Sequence, residues 1–140
     1  MARLGASGGG GAASNVFVTN GALGGTPTTV YNYNEITNIA PSVETTIVSY
    51  TVNSAADCYL QIIASSGQNI GEIRVYRNGS VIDKKYLYYT GFNMDFDYRN
   101  ADPAFPGLLL STGDVIYVKG VNNSTSNCSF NAKIQVVEVT

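Results

Sequence analysis

The twelve residues Cys128-Ser-Phe-Asn-Ala-Lys-Ile-Gln-Val-Val-Glu-Val constrain the fold more than any other stretch. Cys128, Phe130, Ala132, Ile134 and Val136 fall on one side of an extended chain, and Ser129, Asn131, Lys133 and Gln135 on the other. Successive side chains of a strand point to opposite faces, so this run predicts one buried and one wet face. At roughly 3.3 Å per residue such a strand is about 40 Å long, near the upper end of the usual range. Its apolar face needs a second sheet to cover it. The preceding run, Asp114 to Lys119, alternates in the same way and follows a Thr112-Gly113-Asp114 turn. Gly113 takes a positive φ easily, and Asp114 can accept from nearby backbone amides.

Composition agrees with strands. Of 140 residues only 13% are charged, 44% are apolar, and β-branched residues, Tyr, Asn and Ser are abundant. No segment keeps a 3.6-residue period. The net charge of −2, with eight scattered basic residues, argues against a nucleic-acid partner. No apolar run of seven or more follows Met1-Ala-Arg-Leu, so the expectation is no secretory signal, no membrane span and folding in a reducing compartment. Cys58, with Leu60 and Ile62, and Cys128, with Phe130, are expected to face inward as free thiols. A disulfide between them would require neighbouring strands in a suitable register.

Along the chain, residues 1–14 form a Gly-rich arm with four consecutive glycines, and residues 15–140 are expected to form one β-sandwich domain. Ordering such an arm costs entropy that only contacts with another surface offset, so it is expected to dock on a neighbouring subunit or partner. Asn15 to Thr19 is a short candidate strand, and Thr28 to Ile36 reads as an edge or interchain strand. A turn around Pro41 precedes a β-branched strand from Glu44 to Val52. The next strand, from Asp57 to Ala64, is expected to stop at Ser65-Ser-Gly-Gln. Asn78-Gly79 between Ile70–Arg77 and Ser80–Lys84 is a tight-hairpin signature, because both positions accept the positive φ that such turns require. Lys85 to Thr90 and Phe92 to Tyr98 are two further candidates around Gly91. The expectation is an all-β, antiparallel two-sheet sandwich of about eight to ten strands with an extended N-terminal arm.

Leu109-Leu110-Ser-Thr-Gly113-Asp114-Val-Ile-Tyr-Val-Lys, a polar loop and then Ser129-Phe130-Asn-Ala-Lys-Ile resemble the closing strands of TNF/C1q-like jelly rolls. There an L-x-x-G-D-x-V-x-V strand leads into a final F-x-A/G-x-x-I strand. The Arg74 to Ile82 hairpin is also similar to one common in such domains. The resemblance implies a jelly roll that is typically trimeric, of a kind that serves bacteriophages as capsid decoration proteins, head fibres and tail tips.

Candidate chemistry is sparse. The chain has no histidine, which removes the commonest general base and metal ligand, and it carries no phosphate-binding or dinucleotide fingerprint. Asp95, Asp97 and Asp102 form its one acidic cluster, in which Asp95 and Asp97 share a strand face and could share Ca²⁺. A solvated face paired with Arg99 is the simpler expectation, so no metal or other cofactor is assigned. Asn78, Asn122, Asn123 and Asn127 match a glycosylation pattern but read as hydrogen-bonding turn residues. Tyr31, Tyr33, Tyr86, Tyr88, Tyr89 and Tyr98 are candidates for a contact or sugar-binding surface.

These readings converge on a non-enzymatic bacteriophage virion protein made in the host cytoplasm. A capsid decoration (cement) protein is the first expectation, and a carbohydrate- or receptor-binding tail-tip or fibre domain the alternative. The expected partners are further copies of the chain, as a trimer, and other virion proteins such as the major capsid protein. Met1, Arg3, Leu4, Val16, Phe17, Tyr31 and Tyr33 are the expected interface residues.

Overall fold

In the computed structural model, residues 25–53, 57–88, 93–101 and 106–140 are described. They form nine strands: β1 (Pro27–Ile39), β2 (Glu44–Thr51), β3 (Asp57–Gly67), β4 (Gly71–Arg77), β5 (Ser80–Leu87), β6 (Asn93–Asp97), β7 (Leu108–Leu110), β8 (Val115–Asn122) and β9 (Cys128–Val139). One sheet has the order β1-β9-β3-β6, with β7 also on β3, and the other has the order β2-β8-β4-β5. All pairs are antiparallel. The first strand pairs with the last, the second with the last but one, the third with β6 and the fourth with the fifth. Nested pairing of this kind is a long hairpin rolled into two sheets, the jelly roll.

The closing strands behave as their alternation requires. Cys128, Phe130, Ala132, Ile134 and Val136 are all buried, against Ile73, Val75, Ile116 and Val118 of the other sheet among others. Phe130 occupies a seat made by glycines on three other strands. A Cβ on Gly120 would lie 2.7 Å from its ring, and one on Gly67 2.8 Å. Burying such a ring contributes about 1.5–3 kcal/mol, and only residues without side chains let the two sheets close over it. At the hairpin, Asn78 and Gly79 have φ values of 51° and 88°, the two positive angles expected there.

Three local expectations change. β3 does not stop at Ser65 but runs to Gly67, because it is central: Ser65 pairs with Met94 on one side and Ala132 on the other. The Ser65 hydroxyl also donates to the Asn131 carbonyl at 2.7 Å, so ladder bonds override a turn-forming sequence. Within β3 the register slips between Leu60 and Ile62, so Ile63 rather than Ile62 follows Cys58 and Leu60 into the core. Finally, Lys85 to Leu87 belong to the same strand as Ser80 to Lys84, so two expected strands are one.

Cys58 and Cys128 are buried and free, and burial pushes both thiols up from their ordinary range. Their strands are neighbours, yet Cys58 lies opposite Glu138, ten positions along β9 from Cys128. That is roughly 33 Å of extended chain, far beyond disulfide reach.

Candidate assembly surface

The outward face of the β1-β9-β3-β6 sheet is organised in transverse rows. Tyr33, Lys133, Ala64 and Asp95 lie side by side across the four strands. Glu35, Asn131, Ser66 and Asn93 form the next row on one side, and Tyr31, Gln135, Ile62 and Asp97 the next on the other. Small residues at Ala64 and Ser66 leave a shallow depression of about 280 Å³ with Tyr33 and Lys133 at one end and Asn93 and Asp95 at the other. Asn131 donates to the Ser66 hydroxyl across its floor at 2.8 Å. Tyr31 and Tyr33 are 56% and 62% exposed, and the Lys133 ammonium sits 5.2 Å from the Tyr31 ring centre.

Backbone geometry fixes which groups of β1 are free. Thr26 and Thr140 exchange both backbone hydrogen bonds, at 2.9 and 3.1 Å. Bonded and non-bonded pairs alternate along an antiparallel ladder, and β1 and β9 keep one register as far as Ile36. The even-numbered residues of β1 therefore bond to β9, whereas Thr29, Tyr31, Tyr33 and Glu35 aim N–H and C=O away from it. Pro27, which has no N–H, occupies an odd position, where an edge strand tolerates proline. Among the described residues no strand pairs with this side of β1. The strand has thirteen residues and Glu35 as its only charge, so it lacks the charges that usually guard an edge.

Other edges carry side-chain contacts or charges. Asn32 and Asn34 point inward from β1 and donate to the Ser49 and Ile47 carbonyls of β2, at 2.9 and 3.0 Å. On the far side, the Lys85 ammonium of β5 donates to the Asp95 carbonyl of β6, and the Tyr98 hydroxyl donates to Asp83 at 3.2 Å. β5 itself carries Asp83, Lys84 and Lys85. Burial together with the Asp83 charge pushes the Tyr98 phenol well above its ordinary range.

The outward face of the second sheet is bound up in its own charges. Arg74 donates to Glu44 at 3.1 Å and to Glu72 at 2.9 Å, and Tyr76 donates to Glu44 at 2.6 Å. The Tyr76 hydroxyl, then Arg74, hold the Glu44 carboxyl below its ordinary range. Lys119 stands 4.6 Å over the Tyr76 ring. At the end of this sheet, Asp114 accepts from Arg77 at 2.6 Å, from Asn78 at 2.7 Å and from the Ser111 amide at 2.8 Å. The Ser111 amide and the Asn78 side chain, with Arg77, lower its carboxyl to about 2. The Gly-Asp turn and the Asn-Gly hairpin are thus one locked unit.

Of the expected site residues, Tyr31 and Tyr33 are exposed together, while Met1, Arg3, Leu4, Val16 and Phe17 and the whole arm lie outside the described residues. Asp95 and Asp97 do share the outward face, but Arg99 holds both oxygens of Asp97 at 3.0 and 2.7 Å, lowering that carboxyl to about 2. Asp102 lies outside the described residues. The tyrosines do not make one surface. Tyr86 and Tyr88 lie at the end of β5, Tyr98 packs against the core, and Tyr89 is outside the described residues. Asn122, matched above to a glycosylation pattern, is fully buried and donates to the Ile39 and Ser126 carbonyls at 2.8 Å each. Sequence reading missed Asn32, Asn34 and Lys133. The Asn-x-Asn spacing in an otherwise exposed strand was the available signal for the first two.

No family model and no curated protein matches the chain. Among solved structures, a chain from the infectious bursal disease virus Gt strain is similar at a TM-score of 0.27 and 10% identity, over 83% of this chain and 42% of its own length. One from Bacillus endospore appendages, described as disulfide-linked pili, has a TM-score of 0.47 and 13% identity, over 90% of this chain and 98% of its own. A chain of the cyanophage Pam1 capsid asymmetric unit has a TM-score of 0.54 at 12% identity, covering 91% of this chain and 99% of its own. At that identity the likeness is one of fold, and it extends over nearly the full length of both chains.

Proposed function

We propose that this chain is a structural protein of a bacteriophage particle, and within that class a decoration protein that stabilises an assembled shell. The observation that carries the reading is the edge of β1, a long strand whose outward backbone groups pair with no strand among the described residues and which exposes Tyr31 and Tyr33 beside them. The end-to-end likeness to a chain of a phage capsid asymmetric unit supports placing that assembly in a virion. Contacts made only in the assembled state stabilise it by mass action. A trimer, the state implied by the resemblance of the closing strands, is the proposed unit. The arm of residues 1–14 is proposed to cross to a neighbour or to the major capsid protein. No catalytic role is proposed, since the chain has no histidine and its lowered carboxylates are held by structural partners.

Rebinding purified protein to stripped particles tests this. Full-length chain should restore resistance of the shell to heat, and a chain lacking residues 2–14 should bind more weakly. Equal binding of the two would remove the arm from the mechanism, and absence of the protein from purified particles would end the reading.

The depression between Tyr33 and Asp95 favours one second reading, a carbohydrate- or receptor-binding domain at a tail tip or fibre. It offers an aromatic ring beside amide, hydroxyl and carboxylate groups. Glycan-array binding that disappears in Tyr33→Ala, together with few copies per particle rather than many, would select it.

A further inference from the structure

Five strands have an unpaired side among the described residues, β1, β6 and the three-residue β7 in one sheet and β2 and β5 in the other. The asparagines of β1 already bond the outward carbonyls of β2, and Lys85 bonds the outward carbonyl of Asp95 on β6. β5 carries three charges in eight residues, a composition that resists strand pairing. If two copies join by their sheet edges, β1 is the longest edge among the described residues and carries one charge in its thirteen residues. Contact between identical patches is two-fold symmetric, and two strands related by such an axis run antiparallel.

We propose that β1 pairs with β1 of a second copy of this chain, antiparallel, about a two-fold axis through Asn32. The register limits the axis, and side-chain pairing selects among the positions it allows. The residues that aim backbone groups outward are the odd-numbered ones, so odd must face odd. An axis through Asn32 sets Tyr31 opposite Tyr33 of the second copy and Thr29 opposite Glu35, each pair exchanging two backbone bonds. Aromatic side chains then meet aromatic side chains twice on the exposed face, and no like charges meet. An axis through Tyr33 would leave Tyr31 against Glu35, and one through Glu35 would set two carboxylates against each other. At Asn32 itself the side chain points inward and is already committed to the Ser49 carbonyl, so no buried amide is stranded on the axis. The result is one continuous sheet, β6-β3-β9-β1 running on into its symmetry mate. In a particle built from trimers this contact would join one trimer to the next. The inference deepens the assembly reading by naming a partner, but it concerns two copies in solution, so particle binding can fail while the pairing stands.

Site-directed disulfides in the full-length chain test it. A residue on the axis bridges to itself, and its neighbours bridge only to each other. Under mild oxidation Asn32→Cys should form a disulfide-linked dimer. Tyr31→Cys and Tyr33→Cys should stay unlinked when alone and link when mixed, since like positions stand beyond the ~7 Å Cα separation that a disulfide spans. Wild type controls for the buried native thiols Cys58 and Cys128. The exposed positions Tyr31 and Tyr33 keep the test valid should Asn32→Cys fold poorly. In sedimentation, Tyr33→Pro should keep its fold, because its N–H is not used by β9, and should weaken self-association by about tenfold or more. Failure of both Asn32→Cys and the 31/33 mixture to link would overturn the proposal. So would efficient self-linking of Tyr31→Cys, or undiminished association of Tyr33→Pro.

Discussion

The two sides of the sandwich are closed by different chemistry. Where β5 faces β6, closure uses charged or titratable groups: Lys85 reaches across to a backbone carbonyl and Tyr98 donates to Asp83. The hairpin that presents β5 is pinned through Arg77 and Asn78 to Asp114. Where β1 faces β2, closure uses neutral amides, with Asn32 and Asn34 on two carbonyls of β2. The charged side engages an outward carbonyl of β6 in closing, whereas the amide side engages β2 and, among the described residues, leaves the outer edge of β1 unpaired. A side of the sandwich can therefore be closed by side chains and still keep a backbone edge for attachment, because a strand has two backbone edges and an inward side chain occupies neither.

The largest expected effect tests the alternation on which that contrast rests. Asn32→Pro removes an N–H that bonds to β9 and should cost about 3 kcal/mol or more in urea unfolding, whereas Tyr33→Pro should cost less than about 1 kcal/mol. Equal costs would mean that the open and bonded residues of β1 have been assigned the wrong way round.

Next comes the ionic lock. With its folded carboxyl at about 2 against an ordinary 3.8, Asp114 contributes stability that is fully present above pH 3.8 and is lost as the pH falls through 2. The difference corresponds to about 2 kcal/mol, so Asp114→Ala should lower stability at pH 7 by about that amount and flatten the acid limb of the stability curve. Hydrogen exchange during acid titration should open the β4–β5 hairpin before the β1–β2 side. The reverse order would break the comparison.

A smaller effect is expected from the amide side. Asn32→Ala and Asn34→Ala should each cost about 1 kcal/mol, by the same amount at pH 4 and pH 7, since no titrating group enters those bonds. Smallest is Lys85→Ala, expected to cost about 0.5–1 kcal/mol. By freeing the Asp95 carbonyl it should open the edge of β6, read as increased self-association by light scattering.

Much of this architecture is legible in short-range pattern. Strict alternation from Cys128 to Val136 gives a strand with one buried face, and Asn78-Gly79 gives the hairpin. What pattern could not supply is the consequence of having neighbours on both sides. Ser65-Ser66-Gly67 reads as a stop, yet continues as strand because β6 and β9 both pair with it. The bulge near Gln61 is likewise silent in the residues. It is where β3 passes from pairing with β7 to pairing with β6, and the Gln61 carbonyl accepts from the Tyr98 amide at 2.7 Å. At the candidate surface, Tyr31 and Tyr33 are visible as aromatics on an edge-like strand. Their row with Lys133, Ala64 and Asp95 is not, since it joins residues about a hundred positions apart.

The sequence by itself determined an all-β sandwich, its closing strands, its tight hairpin and the poverty of catalytic groups. Those properties depend on side-chain period and residue type, which are local. Only the tertiary structure decided that Cys58 and Cys128 lie at opposite ends of neighbouring strands, that Gly67 and Gly120 make room for Phe130, and that no strand among the described residues pairs with the outer edge of β1. Each of those depends on which distant strand lies alongside and in what register, and a register is a relation between two segments that neither one carries alone.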